Sequence, residues 1–129
     1  MIAPPVDRFH RSVGRLTTLL SYWTPPRFSA AASPLVEETV ASLGVRSRTP
    51  VDDARRDTVG DNLQAVAQVF ADLAADAEGR PRRPVPRLPD PGVLADQLVV
   101  LGADVVAAGL EPNVLDDLTA RLDTLRASL

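Results

Sequence analysis

The chain of 129 residues contains no cysteine and no lysine, a single histidine, and only 4% aromatic residues. Each shortage removes a class of chemistry. Without cysteine there are no disulfides, no thiolate metal sites and no cysteine nucleophile. Without lysine there is neither Schiff-base chemistry nor a phosphate-loop lysine. Few aromatics mean that a core must be built from Leu, Val and Ala, which suits helix packing better than a β-sandwich. No stretch approaches 18 uninterrupted apolar residues, so no membrane span is expected. Met1 to Pro5 has no basic segment followed by an apolar run, so no signal peptide is read there and the cytoplasm is the expected compartment. All 14 basic residues are arginine; with abundant Ala and Val this bias fits a GC-rich coding sequence.

The net charge of −3 conceals segregation: residues 1–33 sum to +3, 34–78 to −5, 79–87 to +4 and 88–129 to −5. A pI near 5.0 argues against bulk nucleic-acid binding. The alternating blocks permit charge-driven self-association.

What the sequence does contain is hydrophobic periodicity. A first helix is expected over Pro5 to Tyr22, with Val6, Phe9, Val13, Leu16 and Leu20 at spacings of three and four. Thr24-Pro25-Pro26 ends it, because proline removes donors and restricts the residue before it. A second, short helix reads from Pro34 to Leu43, capped by Ser33 and stopped by Gly44. A third runs from Pro50 to Glu78, capped by Thr49 with Asp52 completing a capping-box shape, on a stripe of Val59, Leu63, Val66, Phe70, Leu73 and Ala77. At about 1.5 Å per residue it would span about 43 Å.

Residues 79–92 hold five prolines, which forbid regular helix and predict an extended strap. At about 3.1 Å per residue, ten such residues would cover about 31 Å, enough to carry the chain back along the third helix. Arg83-Pro-Val-Pro-Arg-Leu-Pro89 also fits a proline-rich peptide pattern read by aromatic grooves, but a crossover strap is the simpler account. A fourth helix starts at Asp90-Pro91 and carries Leu94, Leu98, Leu101, Val105 and Ala108. Val99, Val100 and Val106 make it apolar on more than one face, so it is expected at the centre. A fifth is expected to be capped by Asn113, with Asp116 three positions later, and carries Leu115, Leu118, Leu122, Leu125 and Leu129; the short turn before it predicts that the last two helices are antiparallel neighbours.

The expected fold is therefore all-α: one domain over 1–129, a four- to five-helix bundle. Its N-terminal helices occupy 1–78, and a long Pro/Arg-rich crossover over 79–92 precedes a C-terminal antiparallel hairpin over 93–129. Five stripes exceed what one small core can bury, so a homodimer is expected.

No catalytic constellation is visible. His10 lacks a partner at helical spacing. The adjacent acidic pairs Glu37-Glu38, Asp52-Asp53 and Asp116-Asp117 point about 100° apart on a helix and sit where helix dipoles favour negative charge. No Glu-x-x-His motif or glycine-rich phosphate loop occurs, so no catalytic, metal or cofactor residue is assigned. The candidate partner-binding residues are two arginine blocks, Arg8, Arg11 and Arg15, then Arg80, Arg82, Arg83 and Arg87, together with the aromatics Tyr22, Trp23 and Phe28. Gly14, Gly60 and Gly102 each follow a stripe residue and are expected at close helix–helix approaches. The expected function is a non-catalytic helical protein–protein interaction module: a scaffold, adaptor or regulatory subunit with a protein partner. The alternatives are a nucleic-acid-associated regulator acting through the arginine surfaces, and a small-ligand-binding bundle or enzyme.

Overall fold

The computed structural model describes residues 3–50 and 56–129. Among these the only regular secondary structure is helix, with no strand and one isolated bridge between Ala31 and Thr58. Six helices follow in order: α1 (Pro5–Ser21), α2 (Pro25–Phe28), α3 (Pro34–Ser47), α4 (Val59–Ala77), α5 (Val93–Ala107) and α6 (Pro112–Ser128). The five long helices form a closed cycle of neighbours: α1 packs on α6, α6 on α3, α3 on α4, α4 on α5, and α5 on α1. Their stripes meet in one core in which Phe9, Leu16, Leu43, Leu63, Phe70, Leu98, Leu118 and Leu122 are fully buried. Phe9 and Phe70 stack edge to face at 5.7 Å near its middle.

Local sequence sets most boundaries. Ser33 accepts the backbone N–H of Val36, and Pro34 opens α3. Two boundaries differ from expectation for identifiable reasons. The helix does not stop at Gly44 but runs to Ser47. It ends with Arg48 at φ 57°, the N–H of Thr49 bonding the Gly44 carbonyl and that of Arg48 bonding the Val45 carbonyl. This is a Schellman ending with arginine in the left-handed place that usually belongs to glycine. The third predicted helix begins nine residues late. Thr58 and Asp61 form a reciprocal capping box that starts α4 at Val59, while Arg56 and Asp57 are not helical. Asp52 of the expected Thr49/Asp52 box, and with it the Asp52-Asp53 pair, lies outside the described residues. Similarly α5 opens at Val93, with the Asp90 carboxylate accepting the N–H of Gly92, and Asn113 lies inside the first turn of α6.

Helix directions follow from side-chain pairs. Arg8 bonds Asp116 and Ser12 bonds Asp123, so α1 and α6 run parallel. Thr49, just past α3, bonds Asp72 in the second half of α4, while Val36 and Val59 share a cavity at the other end, so α3 and α4 are also parallel.

The proline-rich segment lies on α4 in reverse: Arg82 reaches Asp76 and Asp72, Arg83 and Val85 meet Gln68, Val85 meets Gln64, and Arg87 meets Asp61. It therefore returns the chain to the start of α4, and α5 sets off parallel to α4. The strap's reach of about 31 Å suits α4's 19 residues, about 28 Å long.

The C-terminal hairpin needs correction. The packed neighbours of α5 are α4 and α1, and those of α6 are α1 and α3; α1 lies between the two helices expected to pair. A short turn fixes where two helix ends meet, not what fills the angle between them, and α1's stripe of Phe9, Val13, Leu16 and Leu20 fills it. Nor is α5 central. Val99 is 50% and Val100 60% exposed.

Candidate interaction surface

The arginine blocks divide into internal locks and free heads. Arg8 donates to both oxygens of Asp116, at 2.7 and 2.9 Å, joining α1 to α6. Arg82 is the main lock of the strap. Its Nε and one terminal nitrogen bond Asp76 at 2.9 and 2.6 Å, and its terminal nitrogens also donate to the carbonyls of Ser47 and Arg48 at 2.8 Å each. One nitrogen reaches Asp72 at 3.4 Å. Asp72 is buried and also accepts from Thr49 and Gln68, so one cluster ties the end of α3, the body of α4 and the strap. Arg87 pairs with Asp61, and Arg80 with its neighbour Glu78. Arg46 and Arg121 share Asp117 across α3 and α6. Among the described residues, Arg11, Arg15 and Arg83 are exposed and carry no ion pair.

These pairs act on ionisation. The Arg82 hydrogen bonds hold the Asp76 carboxyl below its ordinary value, and Asp76 in turn raises the Arg82 guanidinium. At Asp61 and Asp117 burial pushes the carboxyl up. Hydrogen bonds from Arg87 and Thr58 to Asp61, and from Arg121 and Arg46 to Asp117, outweigh it, so both are lowered.

The aromatic group closes the far end of the core rather than forming one patch. Phe28 is buried and meets the half-buried Trp23 edge to face at 5.2 Å. Arg27 lies over the Trp23 ring at 4.7 Å and donates to the Leu129 carbonyl. Tyr22 alone points out, 81% exposed. His10 is exposed on α1.

The three glycines have three fates. Gly60 packs against the Phe28 carbonyl, 3.0 Å from where a Cβ would stand; Gly102 brings α5 onto Val13 of α1 and Phe70 of α4. Gly14 makes no such approach: a Cβ there would meet nothing within 4 Å, because the residue sits on the outer side of α1.

Three surface features adjoin the strap and α5. An open cleft of about 530 Å³ lies where the strap's end meets the starts of α4 and α5, lined by Thr58, Asp61, Gln64, Arg87 and Asp90 among others. A more apolar groove of about 430 Å³ runs between Pro84, Val85 and Pro86 of the strap and Val93, Val100 and Leu101 of α5. Continuous with it is the bare outer side of α5, where Val99, Val100, Ala103 and Ala107 are exposed beside Asp96 and Asp104. The periodicity argument missed this surface because it assigned every valine to packing. The signal was present: Val99 and Val100 fall off the Leu94–Leu98–Leu101–Val105 stripe. Leu88 of the strap is likewise 41% exposed, while Val85 packs against the core.

Among the described residues no group of three or more His, Asp or Glu side chains is arranged to hold a metal ion, and no helix is long and apolar enough to cross a membrane. Comparison with family models, with curated proteins and with solved structures gave no significant match.

Proposed function

We propose that this protein is a non-catalytic helical interaction module, a scaffold, adaptor or regulatory subunit that works in the cytoplasm as a homodimer. We read its fold as a five-helix bundle held by the proline-rich crossover. The observation that carries the reading is the outer side of α5: a helix with four small apolar residues in solvent, an apolar groove beside it, and no basic residue of its own. Exposed apolar area rimmed by charge is what a docking face requires. Much of the remaining polar chemistry is used in the chain's own joints, with Arg8, Arg82 and Arg87 each tied to carboxylates. The test is affinity capture from source cells with the native chain and with Val99→Asp/Val100→Asp, helicity being checked by circular dichroism. Proteins retained by the first and lost by the folded variant support the reading; identical retention by both removes it.

Nucleic-acid association is the second reading, favoured by the free heads of Arg11, Arg15 and Arg83. It predicts binding to duplex or single strands at low salt that weakens steeply as salt rises. The many internal arginine pairs leave it few cations, so it ranks below the first.

A further inference from the structure

Resting on the interaction-module reading, we propose that the face shared by α1 and α5 docks a second copy of this chain, with the α5 of each copy lying on the α1 of the other. The two helices are neighbours, joined where Gly102 meets Val13. They run antiparallel, since Phe28, just past α1, lines the same cleft as Leu94 at the start of α5. Their outer sides therefore adjoin on one side of the molecule, and they are complementary.

The outer side of α5 carries Asp96 and Asp104 with Val99, Val100 and Ala103 between them, and no cation. The outer side of α1 carries one exposed acid, Asp7, a turn before Arg11 and Arg15, which are exposed and without an ion pair among the described residues, so that side is net basic. Between these arginines lies Gly14, whose open backbone costs about 1 kcal/mol of helix stability against alanine and repays nothing inside the chain. A valine of a facing α5 fits over such a notch, and the arginine stems can flank it while their heads reach the aspartates.

Charge selects this pairing over the simpler one. Packing α5 on its own copy would bring four aspartates together without a basic residue on either helix. Packing it on α1 of the partner sets acid against base, and doing so twice about a two-fold axis closes the dimer with no open end.

The chain lacks cysteine, so engineered thiols report contacts directly. Sedimentation equilibrium of the native chain is expected to show a dimer. On oxidation, Gly14→Cys mixed with Ala103→Cys is expected to give a disulfide-linked pair, whereas Ala103→Cys alone gives none. Arg11→Asp/Arg15→Asp is expected to weaken self-association by about tenfold or more, and adding Asp96→Arg/Asp104→Arg in the same chain to restore it. A monomer at every concentration, or linkage of Ala103→Cys to itself without linkage to Gly14→Cys, overturns the proposal. If the chain is monomeric while Val99→Asp/Val100→Asp still loses captured proteins, the dimer fails and the interaction module stands. If the dimer forms and both chains retain the same proteins, the module fails and the dimer stands.

Discussion

The outer sides of α4 and α5 are adjacent, belong to parallel helices and are built in opposite ways. On α4 the outward row is Asp61, Gln64, Gln68, Asp72 and Asp76, and every one of these side chains bonds the strap. On α5 the outward row is Asp96, Val99, Val100, Ala103 and Ala107, and none of the described residues covers its middle. A segment of proline-rich chain offers carbonyls and few N–H groups, so it is best held by amide and carboxylate side chains with arginines reaching back. A helix face waiting for another helix is best held by small apolar residues. The difference separates a surface the chain covers itself from one that its described residues leave bare.

The largest expected effect tests the floor beneath both surfaces. Gly102→Leu forces a side chain into Val13, whose Cγ1 already stands 3.3 Å from the position of a Cβ. Overpacking at that junction should cost about 3 kcal/mol, read as a lower denaturation midpoint. A near-native midpoint would mean that α1 and α5 are not tightly joined.

Next is the strap. Arg82→Ala removes the cation beside the buried Asp72, which keeps only its Thr49 and Gln68 donors, and takes the Arg82 donors from the Ser47 and Arg48 carbonyls, so it should cost about 2 kcal/mol. Hydrogen exchange should accelerate at Val85 and at other strap amides. If only global stability falls and strap exchange is unchanged, Arg82 is not its lock.

Acid acts on the same joints. Asp61, Asp76 and Asp117 are lowered in the fold from the ordinary 3.8. Their contribution is therefore complete above that value and is lost as pH falls through it toward the folded-state values. Unfolding midpoints should be level between about pH 5 and 7 and drop below about pH 4. Arg82→Ala should flatten the part of the drop that Asp76 supplies.

A smaller gain is expected at Arg48, which holds φ 57° without being glycine. Arg48→Gly relieves that strain and should stabilise by about 0.5–1 kcal/mol, since the Arg82 bond reaches only the Arg48 carbonyl. The smallest effect belongs to the bare face. Val100→Ser, measured at concentrations too low for association, should move stability by less than about 0.5 kcal/mol. A larger loss would place Val100 in the core and dissolve the contrast with α4.

The helices were legible in the sequence wherever periodicity and caps agreed. Ser33-Pro34 started α3, and the stripes of α1 and α6 are buried except at their ends, where Val6 is exposed and Leu129 half-buried. The start of α4 was misread because two Thr-x-x-Asp boxes, at Thr49 and Thr58, compete on equal local terms. The bridge from Ala31 to Thr58 and the Asn62 bonds to the Arg56 and Thr58 carbonyls belong to the second. The strap's course could have been read more fully: polar positions 61, 64, 68, 72 and 76 recur at three and four just as the apolar ones do, and such a row marks a covered polar seam. Of the candidate surface, Arg11, Arg15 and Gly14 were noticed, but the arginines could not be told from Arg8 and Arg82 without knowing which carboxylates lay opposite.

Composition and spacing by themselves determined that this chain is helical, that its core is largely aliphatic, and that the proline-rich stretch between α4 and α5 forms no regular helix. Those properties depend on backbone donors, side-chain branching and a period of 3.6, all of which are local. Which helices touch was decided only in three dimensions. That α1 separates α5 from α6, that Arg82 closes a joint while Arg15 stays free, and that Val99 and Val100 face outward all depend on how several stripes share one core, and no window along the chain contains that competition.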